Sequence, residues 1–438
     1  MGAIAFSVII LIACLVIGMP IPFSFATTFI WLAFSLDYQT DFLLSAGYTQ
    51  LNSVVLLAIP LFILAGGIME KSKIGAALIG VVESFTGHFK SGLGSIAVIA
   101  SAIFGSISGS AAATLSCIGS IMDPRMSAAG YDKGYTASLL AAACPLGLLI
   151  PPSSAQILYA WSSNQSVLAC FLATVGPGIL LTILLCICNA VMVRTMKITV
   201  REKETGSEWM LGTAKRFKSG IPALLMPFII LGSIYGGIMT PTEAAAISVV
   251  YAIPVGIICY RGLTMRGLWD TIVDTSCTTG VVMVMFFMVM IFSRLLTMEG
   301  VPQEIADTLL SYTHNKGVIL IMVNVFMIII GMLMDDVSGI LLSTPILLPI
   351  VTALGVHPIH FAAILGVNLG MGNLTPPTAP MLYLSGRICK AKINTMLKPI
   401  MILLIFAYLP TLLLTTFVPA LSLTLPKMVL PKIFGIGM

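Results

Sequence analysis

Two short stretches of this chain carry residue types fit to hold an ion, Gly105-Ser-Ile-Ser-Gly-Ser110 and Asp335-Asp-Val-Ser-Gly339, and each precedes a double proline, Pro151-Pro152 or Pro376-Pro377. Proline has no backbone N–H and breaks a helix, so carbonyl oxygens one turn earlier lose their donors. Such carbonyls, with Ser or Thr hydroxyls and at most one carboxylate, make a hard-oxygen site suited to Na⁺. The amides freed on the other side of the break attract a carboxylate. The first copy offers Ser106, Ser108, Gly109, Ser110, Gly147 and Pro151 as one Na⁺ site. The second offers Asp335, Ser338, Gly339, Gly372, Thr375 and Pro376 as another.

Asp335 and Asp336 are the only acids between Val318 and Val367. Ionisable groups at membrane depth are rare and mark functional sites by default; the competing reading is that this stretch is a loop. A single charge suffices for an ion site, so Asp335 is the expected ligand. Ser108 and Ser153 are the hydroxyls chosen for a substrate carboxylate, with Ser110 and Asp336 completing that set. The competing role for such serines is a bond to their own i−4 carbonyl.

Other conspicuous residues have structural readings. Thr240-Pro-Thr-Glu243 has the form of a capping box, and Arg294 either attracts anionic cargo or snorkels to headgroups. His357 and His360 are read as part of a loop, since no other metal donor lies nearby. The nine cysteines, without a CxxC pair, are read as small buried hydrophobes. GxSxG, HExxH and P-loop patterns are missing, so neither enzyme chemistry nor ATP hydrolysis is expected, and no nucleic-acid partner either.

The elements that position these residues must be membrane helices. Hydrophobic residues make up 58% of the 438 and charged ones 9%, with a mean hydropathy of +1.06. Apolar stretches long enough to cross a bilayer recur throughout. The first segment has no basic n-region or cleavage site, so it reads as a retained membrane segment, and the apolar run Ile4 to Leu36 either crosses once or folds back. Arg194, Lys197, Arg201, Lys203, Lys215, Arg216 and Lys218 share one loop, which the positive-inside rule places in the cytoplasm. Counting crossings from there leaves only Arg294, Lys316, Lys427 and Lys432, of 22 Lys and Arg, off the cytoplasmic side.

An offset of 225 residues aligns Pro124 with Pro349, Gly130 with Gly355, Gly147 with Gly372 and the two double prolines with each other. Five crossings separate the copies, an odd number, so the second is inverted. Between Gly94 and Pro124, and again between Val318 and Pro349, the chain must leave and return on one side as a re-entrant hairpin. A span broken near its middle follows each, and paired interruptions of this kind point to a transporter's binding site. Gly75 to Lys90 and Glu299 to Thr313 are too polar to span and are expected as interfacial arm helices.

The expected fold is an all-α polytopic membrane protein of about eleven transmembrane segments and two re-entrant hairpins. Residues 1–92 form N-terminal scaffold spans and an arm, 93–193 the first repeat core and 194–218 the cytoplasmic loop. Residues 219–317 form the second scaffold spans and arm, and 318–438 the second repeat core.

GSISGSAAAT at 105–114, LIPPSSAQIL at 149–158, MTPTEAAA at 239–246, MDDVSGILLSTPILLP at 334–349 and TPPTAPML at 375–382 resemble, in order, the large M or DctM-type subunit of tripartite ATP-independent periplasmic (TRAP) transporters. The resemblance implies an elevator-type carrier of the bacterial inner membrane importing C4-dicarboxylates, sialic acid or other sugar acids by Na⁺ symport. It also implies two partners, a periplasmic substrate-binding protein and a small four-helix Q-type membrane subunit, here expected as a separate chain. By resemblance, Ser108 and Ser153 match hydroxyls at the substrate carboxylate and Asp335 an acid at an ion site. The residues after each double proline, PPSSAQ and PPTAPM, depart from the family's usual pattern, so substrate preference does not transfer. The alternatives are a divalent-anion/Na⁺ symporter working without a binding protein and, from another class, a membrane enzyme or non-transporting scaffold subunit.

Overall fold

The computed structural model describes residues 2–86, 90–199, 206–313 and 315–434, which form helices and turns with no strand among them. Arg201 and Lys203 of the basic loop lie outside the described residues. Among the described residues, eight helices are long and apolar enough to cross a membrane, or nine when the bent pair Lys133–Leu149 and Ser154–Ser162 counts as one span. The difference from the expected eleven lies in shorter apolar helices such as Ile21–Ser35 and Pro358–Gly372. Apolar side chains remain on the outside: Ile179, Ile183, Ile187 and Val191 form an exposed stripe at i, i+4 spacing along Val167–Met192. Such a stripe suits lipid as its solvent.

The N-terminal apolar run folds back. Gly18, at φ 87°, and Pro20 end one helix and start the next, so Gly2–Val16 returns as Ile21–Ser35 with the Phe6 and Trp31 rings 5.0 Å apart. Glycine takes this left-handed φ without a Cβ clash, and proline suits the first turn of the helix that follows.

The 225-residue repeat is physical. Shifted by that offset, the helix Ala111–Ala128 coincides end for end with Asp336–Ala353. The preceding helices end at equivalent residues, Ser108 and Leu333, and the following ones start at equivalent residues, Lys133 and Pro358. The N-caps match too: Ser110 and Asp335 cap the returning helices, while Asp132 and His357 cap the broken spans. Each cap accepts a backbone N–H that the first helical turn cannot satisfy internally.

Both breaks fall where the prolines require. The first span runs Lys133–Ala143, continues as the single turn Leu146–Leu149, and resumes as Ser154–Ser162 after a bend of 44°. The second runs Pro358–Gly372 and resumes as Pro380–Ile388. Pro151-Pro152 and Pro376-Pro377 are both cis.

Around this core, the long helix Met265–Met298 packs against Ile21–Ser35, with the Phe25 and Phe292 rings 5.7 Å apart. The polar segments form the short helices Ile74–Thr86 and Val301–Tyr312. At about 1.5 Å per residue neither reaches across a hydrocarbon core of about 30 Å. Thr240-Pro-Thr-Glu243 is a complete capping box, with the Thr240 N–H donating to Glu243 Oε2 at 2.8 Å.

Two expectations need correction. His360 lies within a helix, not a loop, because His357 and Pro358 supply the cap and first turn that start it; its Nε2 pairs with the Thr415 carbonyl at 2.6 Å. Cys259 and Cys277 are exposed, unlike the buried Cys117, Cys144, Cys170, Cys188 and Cys389. They occupy outward faces of apolar helices, where lipid replaces a protein core.

Candidate ion and substrate site

The first hairpin turns at its tip through Gly109, whose φ of 60° closes the helix Gly92–Ser108 in left-handed conformation. The tip inserts into the break of the first span. A Cβ on Gly105 would meet the Gly147 Cα at 2.5 Å, and one on Gly147 would meet the Ser110 carbonyl oxygen at 3.0 Å. Only glycine permits this approach. From the far side of the break, the Ser154 hydroxyl and N–H donate to the Gly109 carbonyl at 3.0 and 3.3 Å.

This contact gathers Ser108, Gly109, Ser110 and Gly147, as the sequence predicts, and adds Thr114 and Ser154. Thr114 Oγ1 lies 3.1 Å from Ser108 Oγ and donates to the Ser110 carbonyl at 2.8 Å. Ser106 instead bonds back to the Ile103 carbonyl at 2.7 Å, and Ser110 Oγ accepts from the Ala113 N–H. The helix has no N–H at Pro151 or Pro152 to reach the carbonyls of Gly147 and Leu148. Ser153 is fully buried, and its hydroxyl has no partner among the described residues. An unpaired buried hydroxyl costs free energy, which a ligand oxygen would offset.

The second hairpin repeats the arrangement with more charge. Asp335 Oδ1 accepts from the Ser338 hydroxyl at 2.5 Å and from its N–H at 3.4 Å. The Gly339 N–H donates to the Asp335 carbonyl at 2.9 Å, so these three residues form one turn. Asp336 points elsewhere: its Oδ1 accepts from Asn373 Nδ2 at the second break. Gly331 and Gly372 touch through their backbones as Gly105 and Gly147 do. Thr375 donates its hydroxyl to the Met371 carbonyl at 2.7 Å and its N–H to the Gly372 carbonyl at 3.0 Å, where Pro376 supplies no further N–H.

The two broken spans pack on each other. A Cβ on Gly370 would meet the Pro145 Cβ at 3.0 Å, and Tyr408, from the following helix, donates to the Ala142 carbonyl at 2.7 Å. Gln156 and Tyr159 of the first span donate to the Ala362 and Pro358 carbonyls of the second at 3.3 and 2.6 Å. Among the described residues no hydrogen bond joins the two ion-ligand sets directly. Thr114, Ser154 and Asn373 were not singled out in sequence; only the 225-residue frame, which places Thr114 opposite Gly339 and Asn373 opposite Leu148, brings them near a tip or break.

Paired hairpins seated in paired broken spans, inside an all-helical apolar chain, define a membrane transporter. The chain belongs to the DctM component family of TRAP transporters: the family described as "Tripartite ATP-independent periplasmic transporter, DctM component" matches residues 8–421. It is a multi-pass membrane protein and a TRAP large permease, of a family that works in the inner membrane, and not an enzyme. It is 35% identical to the isethionate TRAP transporter permease protein DctMQ of Oleidesulfovibrio alaskensis, over 87% of this chain but 60% of that longer one. Identity is 32% with the sialic acid TRAP transporter large permease protein SiaM of Vibrio cholerae, over 94% of this chain and 96% of that one. With the C4-dicarboxylate TRAP transporter large permease protein DctM of Pseudomonas aeruginosa it is 34%, over 85% and 86%. Among solved structures, the Alcanivorax borkumensis YdaH transporter shares the fold, at a TM-score of 0.58 and 16% identity over 86% of this chain and 88% of that one.

Proposed function

We propose that this permease imports a small organic acid by Na⁺ symport, with the solute delivered by a periplasmic binding protein and a separate four-helix membrane subunit completing the complex. The observation that carries this reading is the pair of hairpin tips lodged against broken spans, each gathering carbonyl oxygens with a hydroxyl or carboxylate oxygen at the break. At the first, the Gly147 carbonyl stands with Ser108 and the Ser110 carbonyl. At the second, the Gly372 carbonyl belongs to a set that includes the Asp335 carboxylate. Both are hard-oxygen sets of the kind Na⁺ takes, and the single acid of the second accounts for one positive charge.

The substrate group sits between the spans in this reading. Ser153 stands at the N-terminal end of the helix Ser154–Ser162 without a side-chain bond to its amides, and its buried hydroxyl without a partner among the described residues lies beside amide groups that favour an anion. The relatives named for isethionate, sialic acid and C4-dicarboxylates are all named for anions, which supports an acidic solute for this chain. Opposite orientation of the two copies supplies the mechanism: one hairpin seals the site from one side and one from the other, while the core moves as an elevator against the scaffold helices.

Reconstitution tests the whole reading. Proteoliposomes holding this chain and its small subunit should accumulate a labelled organic acid only with an inward Na⁺ gradient and only with the binding protein added. Uptake by the large chain alone would assign it instead to symporters that need no binding protein, and uptake indifferent to sodium would remove the coupling.

A further inference from the structure

At the end of the long helix Met265–Met298 an arginine opens onto a cavity that neither hairpin site uses. The cavity has a volume of about 680 Å³, within the roughly 300–1,000 Å³ range of small-molecule sites. Arg294 lines it together with Thr49 and Gln50 from the helix Thr40–Leu51, Trp161 and Asn164 from the end of the first broken span, and Pro345 from the second hairpin. The loop charges put Arg294 and Trp161 on the same, outer face.

Its chemistry is one-sided. Arg294 is exposed, forms no ion pair among the described residues, and shares the cavity with no Asp or Glu. A guanidinium keeps its charge at any physiological pH and offers a planar fork matched to a carboxylate. The hydroxyl protons of Thr49 and Thr297 are already given to the Ser45 and Ser293 carbonyls, each at 2.9 Å, so their oxygens face the cavity as acceptors. Trp161 is tilted against Phe286, ring centroids 4.7 Å apart. Acceptors, side-chain amides and an indole ring around one cation suit a carboxylate bearing several hydroxyls. An arginine that merely snorkels to lipid headgroups needs none of this polar lining.

We propose that this cavity is a receiving site on the outer face for a hydroxylated carboxylate, filled before the solute reaches the hydroxyls between the broken spans. The proposal rests on the transport reading above. Because Pro345 belongs to the second hairpin, motion of the core against Arg294 would reshape the cavity and release what it holds.

The test uses the chain in nanodiscs without sodium, with Trp31, Trp209 and Trp269 replaced by Phe so that emission reports Trp161 alone. Glucuronate is the probe, glucose its uncharged counterpart, and calorimetry on the unaltered chain the parallel measurement. Glucuronate should change the signal saturably, and glucose should not. Arg294→Gln should weaken binding by about tenfold, about 1.4 kcal/mol, and Arg294→Lys should recover part of it. No saturable signal by either method, equal binding of glucose, or unchanged affinity in Arg294→Gln would overturn the proposal. Loss of binding in Ser153→Ala but not in Arg294→Gln would place the solute between the spans instead, defeating this site while leaving the transport reading intact. Binding at Arg294 without any sodium-driven uptake by the assembled complex would count against the transport reading alone.

Discussion

Ser110 and Asp335 hold the same place in two hairpins 225 residues apart, each capping the first turn of the returning helix, one with a neutral hydroxyl and the other with a carboxylate. The backbone device is shared, and the charge is confined to the second copy. This separates the two jobs of Asp335, cap and candidate ion ligand, because different substitutions remove them.

Asp335→Asn keeps a good cap and loses the charge, whereas Asp335→Ala loses both. Uptake assays at varied sodium should show Asn raising the half-saturating Na⁺ concentration by about tenfold or more, with folding in the membrane preserved. Ala should abolish sodium-dependent uptake and cost about 1 kcal/mol of stability in addition. An unchanged sodium dependence in both variants would take Asp335 out of the ion site.

The contact between Gly105 and Gly147 makes the first hairpin intolerant of a single methyl group. Gly105→Ala should destabilise the chain by about 1–3 kcal/mol and stop uptake, since the tip cannot seat in the break. Gly80→Ala is the matched control, with open space within 4 Å of the added carbon. Equal thermal stability and equal uptake for the two variants would show that the tip does not dock so closely.

Ser108→Ala removes a hydroxyl that faces Thr114 and the first ion-ligand set. Transport should weaken, with the complex still assembling in detergent. Transport kinetics identical to the parent's would leave Ser108 with no part in solute or ion binding.

Opposite orientation of the copies is checked at the ends of the returning helices, where Ala128 and Ala353 are exposed. In a chain cleared of its native cysteines, Ala128→Cys should react with an impermeant maleimide only from the cytoplasmic side and Ala353→Cys only from the other. Labelling of both from one side would contradict the inverted repeat.

Thr240→Ala should lower the melting temperature while leaving the KM for solute and sodium as they are, because the Thr240 and Glu243 groups satisfy each other at a helix start. A changed sodium KM with unaltered melting would give that box a role in coupling.

The hairpins and breaks were legible in sequence because Gly and Pro act on their own backbone: the double prolines Pro151-Pro152 and Pro376-Pro377 each interrupt a span. The capping box was equally local. Side-chain partnerships were not. Asn373 meets Asp336 across 37 residues of chain and Ser154 meets Gly109 across 45, and neither spacing carries a periodic signal. Asp335 and Asp336, adjacent in sequence, serve different elements because successive residues at a helix start point in different directions. The fold-back at Gly18 was equally open in sequence, since the apolar run on either side suits one long helix or two short ones.

The seating of each tip against a later span has a consequence for biogenesis. The ribosome delivers Gly105 well before Gly147, and Gly331 well before Gly372, so each polar tip waits for about forty further residues, a few seconds at about 5–20 residues per second. In that interval the Gly109 carbonyl lacks the Ser154 donors it later meets and the tip has no glycine groove to enter, and hydrocarbon is a poor host for it. The insertion machinery must therefore keep each hairpin near water or within protein until its groove emerges, and a mutation that slows delivery of the broken span would harm the yield of mature permease without touching a single ligand of the finished site.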